Sequence, residues 1–363
     1  MAVANPDALK PTGKIWFFNP LVDFLCLGGI TYFFIWLFDM SNALPIHPPA
    51  LIKNTAWIPV TTFVGSILVN YPHYAATYYR VYRKSSEVKK YAFEAIWAPL
   101  FLIVLGAVAL FSPAGFAPWY ALAYVITSGY HYSGQTYGIS LIFTGKSGLR
   151  LNAWQKWCII VPVYACYLYP TIRGNTPDGE QVLFYGIQIP SLNIHPMLAP
   201  LMLNIFYAGL AMYVAMNLYF WLVQKKRLPG IVHVVVGAQV IWYSVGSMVP
   251  GFFNFVPFFH CLQYLVITSY FDFKEVITGK PEQSLPTPDS YLRSWHFGRY
   301  YIIQIVVGSL LFLLMPLLIE GTGLATHALA SAVVVSFLNI HHFVLDGAIW
   351  KLRKPDVGQT LFS

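Results

Sequence analysis

Three apolar segments of the chain carry the same arrangement of polar side chains. Each has a small polar residue, a histidine three positions on, and a second polar residue four beyond that: Asn70–His73–Thr77, Ser128–His131–Gln135 and Asn339–His342–Asp346. Spacings of three and four put the members of a set on one face of a helix. A looser version, His260–Gln263–Tyr264, lies on a fourth segment. Ionisable groups are costly inside a bilayer and are functional by default there. The chemistry that imidazoles and a carboxylate share is metal ligation: imidazole suits iron, copper and zinc, and an added carboxylate favours iron or another first-row metal. His342 and Asp346, at i and i+4, present two ligands from one helix face. The expected ligands are therefore His73, His131, His260, His342 and Asp346, with His341 as a ligand or a supporting partner, since it points about 100° away from His342.

Around them, Asn70, Thr77, Gln135 and Asn339 are expected to hold the cofactor site, with Gln135, Thr77 and Asn339 fixing imidazole tautomers. Tyr132 and Tyr264 are the candidate catalytic tyrosines, able to donate hydrogen bonds or stabilise an oxidising intermediate, within a ring that includes Tyr74, Tyr78 and Tyr137. Pro72 and Pro257 closely precede histidines, where kinks free backbone groups and mark cavities in membrane helices. Two blander uses of the same residues compete with the metal site: an interhelical hydrogen-bonded core and a proton or ion path.

The elements that must position these residues follow from composition. At 57% hydrophobic and 10% charged residues, the chain reads as an all-α, polytopic transmembrane helical bundle. About ten apolar segments fit the length of a bilayer crossing: 18–39, 56–79, 93–112, 117–143, 156–171, 199–223, 231–249, 254–273, 299–319 and 322–349. With both termini cytoplasmic, all 22 Lys and Arg residues except Lys53 and Arg173 fall on the cytoplasmic side, as the positive-inside rule requires. The whole chain, 1–363, is then a single membrane domain, with an external loop at 172–198 and a cytoplasmic loop at 274–298. Turn signals in the external loop suggest a hairpin. The second, fourth, eighth and tenth segments, which carry the histidines, all run from outside to inside. His73, His341 and His342 fall in the cytoplasmic halves of their spans, His131 near the middle and His260 closer to the outer end.

The formal charge of +8 does not point to nucleic acid, because the basic residues sit in short loops rather than on one face. Asp23, just after Asn19–Pro20, is expected to cap or pair locally. Cys26, Cys158, Cys166 and Cys261 form no CxxC or metal knuckle and read as small core residues. No cleavable signal is expected before the first apolar run.

The pattern of His73, His131, His260, His341, His342 and Asp346 resembles the histidine-box integral-membrane metalloenzymes, the class of lipid desaturases, hydroxylases and carotenoid-cleaving oxygenases. It departs from them in having no HxxxH or HxxHH box. The segments NYPHYAATYYR, GYHYSGQTYG and HHFVLDGAIWK look more like those of bacterial polytopic membrane proteins to which no activity is assigned. The resemblance implies an inner-membrane oxidoreductase with an iron or copper centre acting on a lipidic or apolar substrate. Its partners would be the lipid bilayer, such a substrate, and a redox partner or the subunits of a membrane complex. Two histidines as axial ligands would also suit haem b, whereas no four-Cys set exists for an iron–sulfur cluster. A proton- or ion-coupled transporter, or an assembly subunit of a larger membrane complex, are the alternatives from other classes.

Overall fold

In the computed structural model, the described residues are 15–40, 57–179, 182–246, 249, 251–278 and 285–362. Lys10, Lys14, His47, Lys53, Pro250, Lys280 and Pro281 lie outside them. Among the described residues the architecture is all-α apart from one hairpin. Each of the ten apolar segments forms a helix: α1 (20–40), α2 (57–82), α4 (Phe93–Phe111), α5 (Ala117–Lys146), α6 (Ala153–Gly174), α7 (Leu198–Leu222), α8 (Gly230–Tyr243), α9 (Phe252–Ile277), α11 (Trp295–Gly321) and α12 (His327–Ile349). Short helices α3 (Ser85–Lys90), α10 (Pro288–Leu292) and α13 (Pro355–Phe362) lie in the connections and at the C-terminal end.

By length and composition, five of these helices suffice to cross a membrane: α4, α7, α9, α11 and α12. The 30-residue α5 is long enough, but polar residues such as Ser128, His131, Ser133, Gln135 and Thr136 dilute its apolar character. The five divide into two kinds. In their apolar stretches α9 and α12 are 72% and 67% buried, against 28%, 17% and 22% for α4, α7 and α11. The first pair forms the centre and the other three its shell. Shell side chains such as Phe101, Val104, Leu201, Val214, Leu317 and Leu318 are exposed, the surface expected of helices solvated by lipid.

Among the described residues, four helices contain a single widened, π-type turn, at Leu25–Gly29, Ser66–Asn70, Phe93–Trp97 and Leu310–Leu314. The last three each lie just ahead of a proline: Pro72, Pro99 and Pro316. Proline has no N–H to give the carbonyl four residues back, and its ring collides with that carbonyl. Widening the preceding turn relieves the collision and leaves carbonyls to be met from elsewhere. The Tyr301 hydroxyl donates to Leu68 O at 2.7 Å, and the Tyr82 hydroxyl to Ala95 O at 2.7 Å. The N-terminal half of α11 packs tightly along α2, and Gly308 permits the approach: a Cβ there would lie 2.3 Å from Tyr71 O.

The 172–198 loop contains the hairpin, with Leu183–Phe184 pairing antiparallel to Ile187–Gln188. Tyr185 and Gly186 both take positive φ, 49° and 77°, the conformation of a two-residue turn that matches strand twist. Asn19 caps the first helix, accepting from the Val22 backbone N–H at 2.9 Å, and Asp23 in its first turn pairs locally, accepting from the Phe17 and Phe18 backbone N–H groups at 2.6 and 3.2 Å. All four cysteines are free.

Candidate metal centre

The four histidine-bearing helices meet at the centre of the bundle. α12 packs on both α5 and α2, and α9 packs on α2. Their inward faces bring together side chains that are far apart in sequence. The ligand atoms of His73, His131 and His342 all lie within 4.8 Å of one another. His73 Nε2 and His342 Nε2 are 2.7 Å apart. Asp346 Oδ2 lies 3.2 Å from His342 Nε2 and 3.8 Å from His131 Nε2. The i, i+4 spacing of His342 and Asp346 thus places both groups at one point.

His260 completes the cluster from α9. Its ring centroid is 5.1 Å from that of His73 and 4.9 Å from that of His131, and it stacks on Tyr132 at 4.0 Å. α9 begins with a short 3-10 turn, Phe252–Phe255, and His260 lies near the start of the α-helical part that follows, Val256–Ile277.

Several ring nitrogens in this buried cluster have no hydrogen-bond partner: His73 Nδ1, His131 Nε2, both nitrogens of His260, and His342 Nδ1. A buried polar atom without a partner costs about 1–3 kcal/mol, so five among four neighbouring imidazoles leave the cluster short of hydrogen-bond partners. His73 and His342 are fully buried, and His260 is 1% exposed.

The carboxylate is held on its other oxygen. Thr77 Oγ1 and the Tyr264 hydroxyl donate to Asp346 Oδ1 at 3.1 and 2.8 Å, and Trp350 Nε1 donates to the Tyr264 hydroxyl at 2.8 Å. One oxygen of Asp346 is thereby committed to neutral donors from α2 and α9, and the other faces the imidazoles. Next in line is Arg80, sandwiched between the rings of Phe271 and Trp350 at 4.0 and 3.8 Å and donating to Ile349 O.

The remaining residues singled out in the sequence take other places. His341 lies outside the cluster: it stacks on Tyr78, and its Nε2 bonds Glu94 O at 3.0 Å. That carbonyl is free because the π turn of Phe93–Trp97 withdraws its helical donor. Glu94 therefore contributes its backbone here, not its carboxylate. Gln135 Nε2 donates to His260 O and Gln263 Oε1 at 2.9 and 3.2 Å, tying α5 to α9. Asn339 accepts from the Tyr74 hydroxyl and donates to Val335 O at 2.7 Å; the Tyr74 ring in turn packs edge-on against His73 and His342. Asn70 bonds Ser66 Oγ one turn back, at 3.2 Å. So Thr77 acts on the carboxylate, Gln135 on the backbone of His260, and Asn339 on a tyrosine that braces two rings. None of these contacts is to an imidazole nitrogen, because each of these side chains is engaged by a carboxylate, a hydroxyl, an amide or a backbone carbonyl instead. Tyr137 packs away from the site, against the cluster containing Ile139 and Phe143.

Trp350 and Arg80 were not among the expected site residues. Their signal was present: Trp350 follows Asp346 by four and Arg80 follows Thr77 by three, the same helical spacing that marks the sets themselves. The chain matches no protein-family model, and no curated protein and no solved structure matches it either.

Proposed function

We propose that this protein is a polytopic membrane metalloprotein of ten spans with both termini cytoplasmic. Its centre would bind a first-row transition metal, iron or copper, through His73, His131, His342 and Asp346, with His260 as a further ligand. The reading is supported by one observation above all: three imidazoles from three separate helices converge within 4.8 Å around a carboxylate, with ring nitrogens left unpartnered. A purely structural core would satisfy those atoms internally.

Such a metal supplies redox chemistry in a dry site shielded from water. An oxidoreductase acting on a lipidic or other apolar substrate is the activity that fits a centre reached through hydrocarbon rather than water. The chain's own residues would orient the carboxylate (Thr77, Tyr264) and brace the rings (Tyr74, Tyr132). The resemblance to histidine-box membrane enzymes agrees with this reading in chemistry, though not in motif. A bacterial inner membrane is the matching location.

The test is elemental analysis with optical and EPR spectra on protein purified from membranes. Near-stoichiometric iron or copper, lost in His73→Ala and His342→Ala, is the expected result. Protein that is folded but free of metal, or that keeps its metal in both variants, overturns the proposal.

A further inference from the structure

A cavity of about 440 Å³ opens from one side of the cluster, within the ~300–1,000 Å³ range of small-molecule sites. It lies between α5 and α12. His131, Asp346 and Tyr264 stand at its inner end, and its walls are apolar, with Ile139, Ile267, Ile340, Phe343 and Val344 among them. Tyr130, which is 62% exposed, belongs to the lining too, so the cavity reaches the outer surface of the bundle.

Two glycines explain why the slot exists. Gly138 on α5 and Gly347 on α12 both line it, and a Cβ added at either would meet nothing within 4 Å. Neither is therefore needed for close helix packing, unlike Gly308. Glycine inside a helix costs about 1 kcal/mol relative to alanine, and at these two positions no contact offsets that cost. What the missing side chains preserve is open volume, leading to a buried imidazole whose Nε2 has no partner.

We propose that this slot binds one long alkyl or alkenyl chain, entering sideways from the bilayer, with the chain running past Gly138 and Gly347 toward His131 and Asp346. The mostly apolar walls recognise hydrocarbon by burial; His131, Asp346 and Tyr264 stand beside the cluster, whereas Thr127 and Lys351 are exposed residues of the lining. The inference takes the identity of that reacting end from the metal-centre reading, whereas the binding itself does not depend on it. A free fatty acid and a phospholipid acyl chain offer the same chemistry.

Photolabelling in nanodiscs tests the proposal, with stearic acid carrying a diazirine in one arm and phosphatidylcholine carrying the same acyl chain in the other. Peptide mapping is expected to place the label on Ile267, Phe343 and Val344, and the arm that labels identifies the source of the chain. Gly138→Leu and Gly347→Leu should each cut this labelling at least about tenfold, equivalent to ~1.4 kcal/mol. Both changes raise helix propensity and lie on different helices, so failure of one to fold leaves the other informative. Labelling that is undiminished in the folded variants, or spread evenly over shell helices such as α7, overturns the proposal. Metal content measured on the same samples separates the two readings: metal-free protein that labels in the slot sinks the centre and keeps the chain site. Metal-loaded protein indifferent to both leucines does the reverse.

Discussion

Asp346 is the residue on which the proposed metal site turns. Its Oδ1 already accepts from Thr77 and Tyr264, and its Oδ2 faces His342 and His131. Asp346→Asn keeps volume and hydrogen-bonding capacity but removes the charge that attracts a cation. It is expected to lower metal content substantially in a protein that still folds and inserts; unchanged metal would exclude the carboxylate as a ligand. Thr77→Val should act differently, by removing one donor from a buried carboxylate. That costs about 1–3 kcal/mol of stability, read as a lower unfolding temperature, with the ligand atoms untouched. Geometry supplies a third test at this scale. The 2.7 Å between His73 Nε2 and His342 Nε2 is shorter than the ~3.4 Å between two ligands on a tetrahedral metal with ~2.1 Å bonds. A structure of the metal-loaded protein should show those two rings parted by several tenths of an ångström. An unchanged separation would place the metal elsewhere.

Among the elements, the proline-linked π turns do the positioning. The turn at Ser66–Asn70 ends just before His73, and that at Phe93–Trp97 presents Glu94 O to His341. Adjacent histidines on α12 thus have separate tasks: His342 faces the cluster, and His341 ties α12 to α4. His341→Ala should therefore reduce stability by about 1–3 kcal/mol through the orphaned carbonyl while leaving metal content intact. His342→Ala should do the opposite and strip the metal. Equal metal loss in the two variants, measured by elemental analysis beside thermal unfolding, would contradict this division.

Over the whole molecule, two buried helices are enclosed by a shell that exposes apolar side chains, and the orientation of that shell is testable. Fusion tags at both termini should report from the cytoplasm, and impermeant reagents should reach the 172–198 loop only from outside; termini on opposite sides would refute ten spans. At the C-terminal end, Asp356 of α13 pairs with Lys90 of α3 at 2.7 Å. Partial burial pushes the Asp356 carboxyl up, but the hydrogen bond and charge of Lys90 outweigh this and hold it below its ordinary value, while the bond to Asp356 raises Lys90. A depressed carboxyl stabilises above its unfolded pKa and ceases to as pH falls through the folded one. A raised ammonium stabilises below its unfolded pKa and ceases to as pH rises through the folded one. The pair therefore holds across the neutral range. Both side chains are well exposed, so its worth is small and screened by salt. Asp356→Asn should lower the unfolding temperature slightly at neutral pH and low salt, with the difference vanishing in acid or at high salt.

The all-α class and the ten helical segments were legible because hydrophobic content and helical period are local properties, carried by runs of residues along one chain. The shared face of Asn339, His342 and Asp346, like that of His73 and Thr77, was legible for the same reason. What lay beyond the sequence was which faces meet. The 4.8 Å grouping of three imidazoles depends on helix neighbours that no spacing encodes. The place of His260 depends on how α9 packs on α2, and the separate task of His341 on a carbonyl freed in another helix by Pro99. Trp350 and Arg80 carried the right spacing, but a basic residue and a tryptophan near a helix end are just as well accounted for by the interface of a membrane. The slot beside Gly138 and Gly347 was illegible altogether, since a glycine that allows contact and a glycine that keeps space open are the same letter. Only the tertiary structure, by what stands opposite each one, separates them.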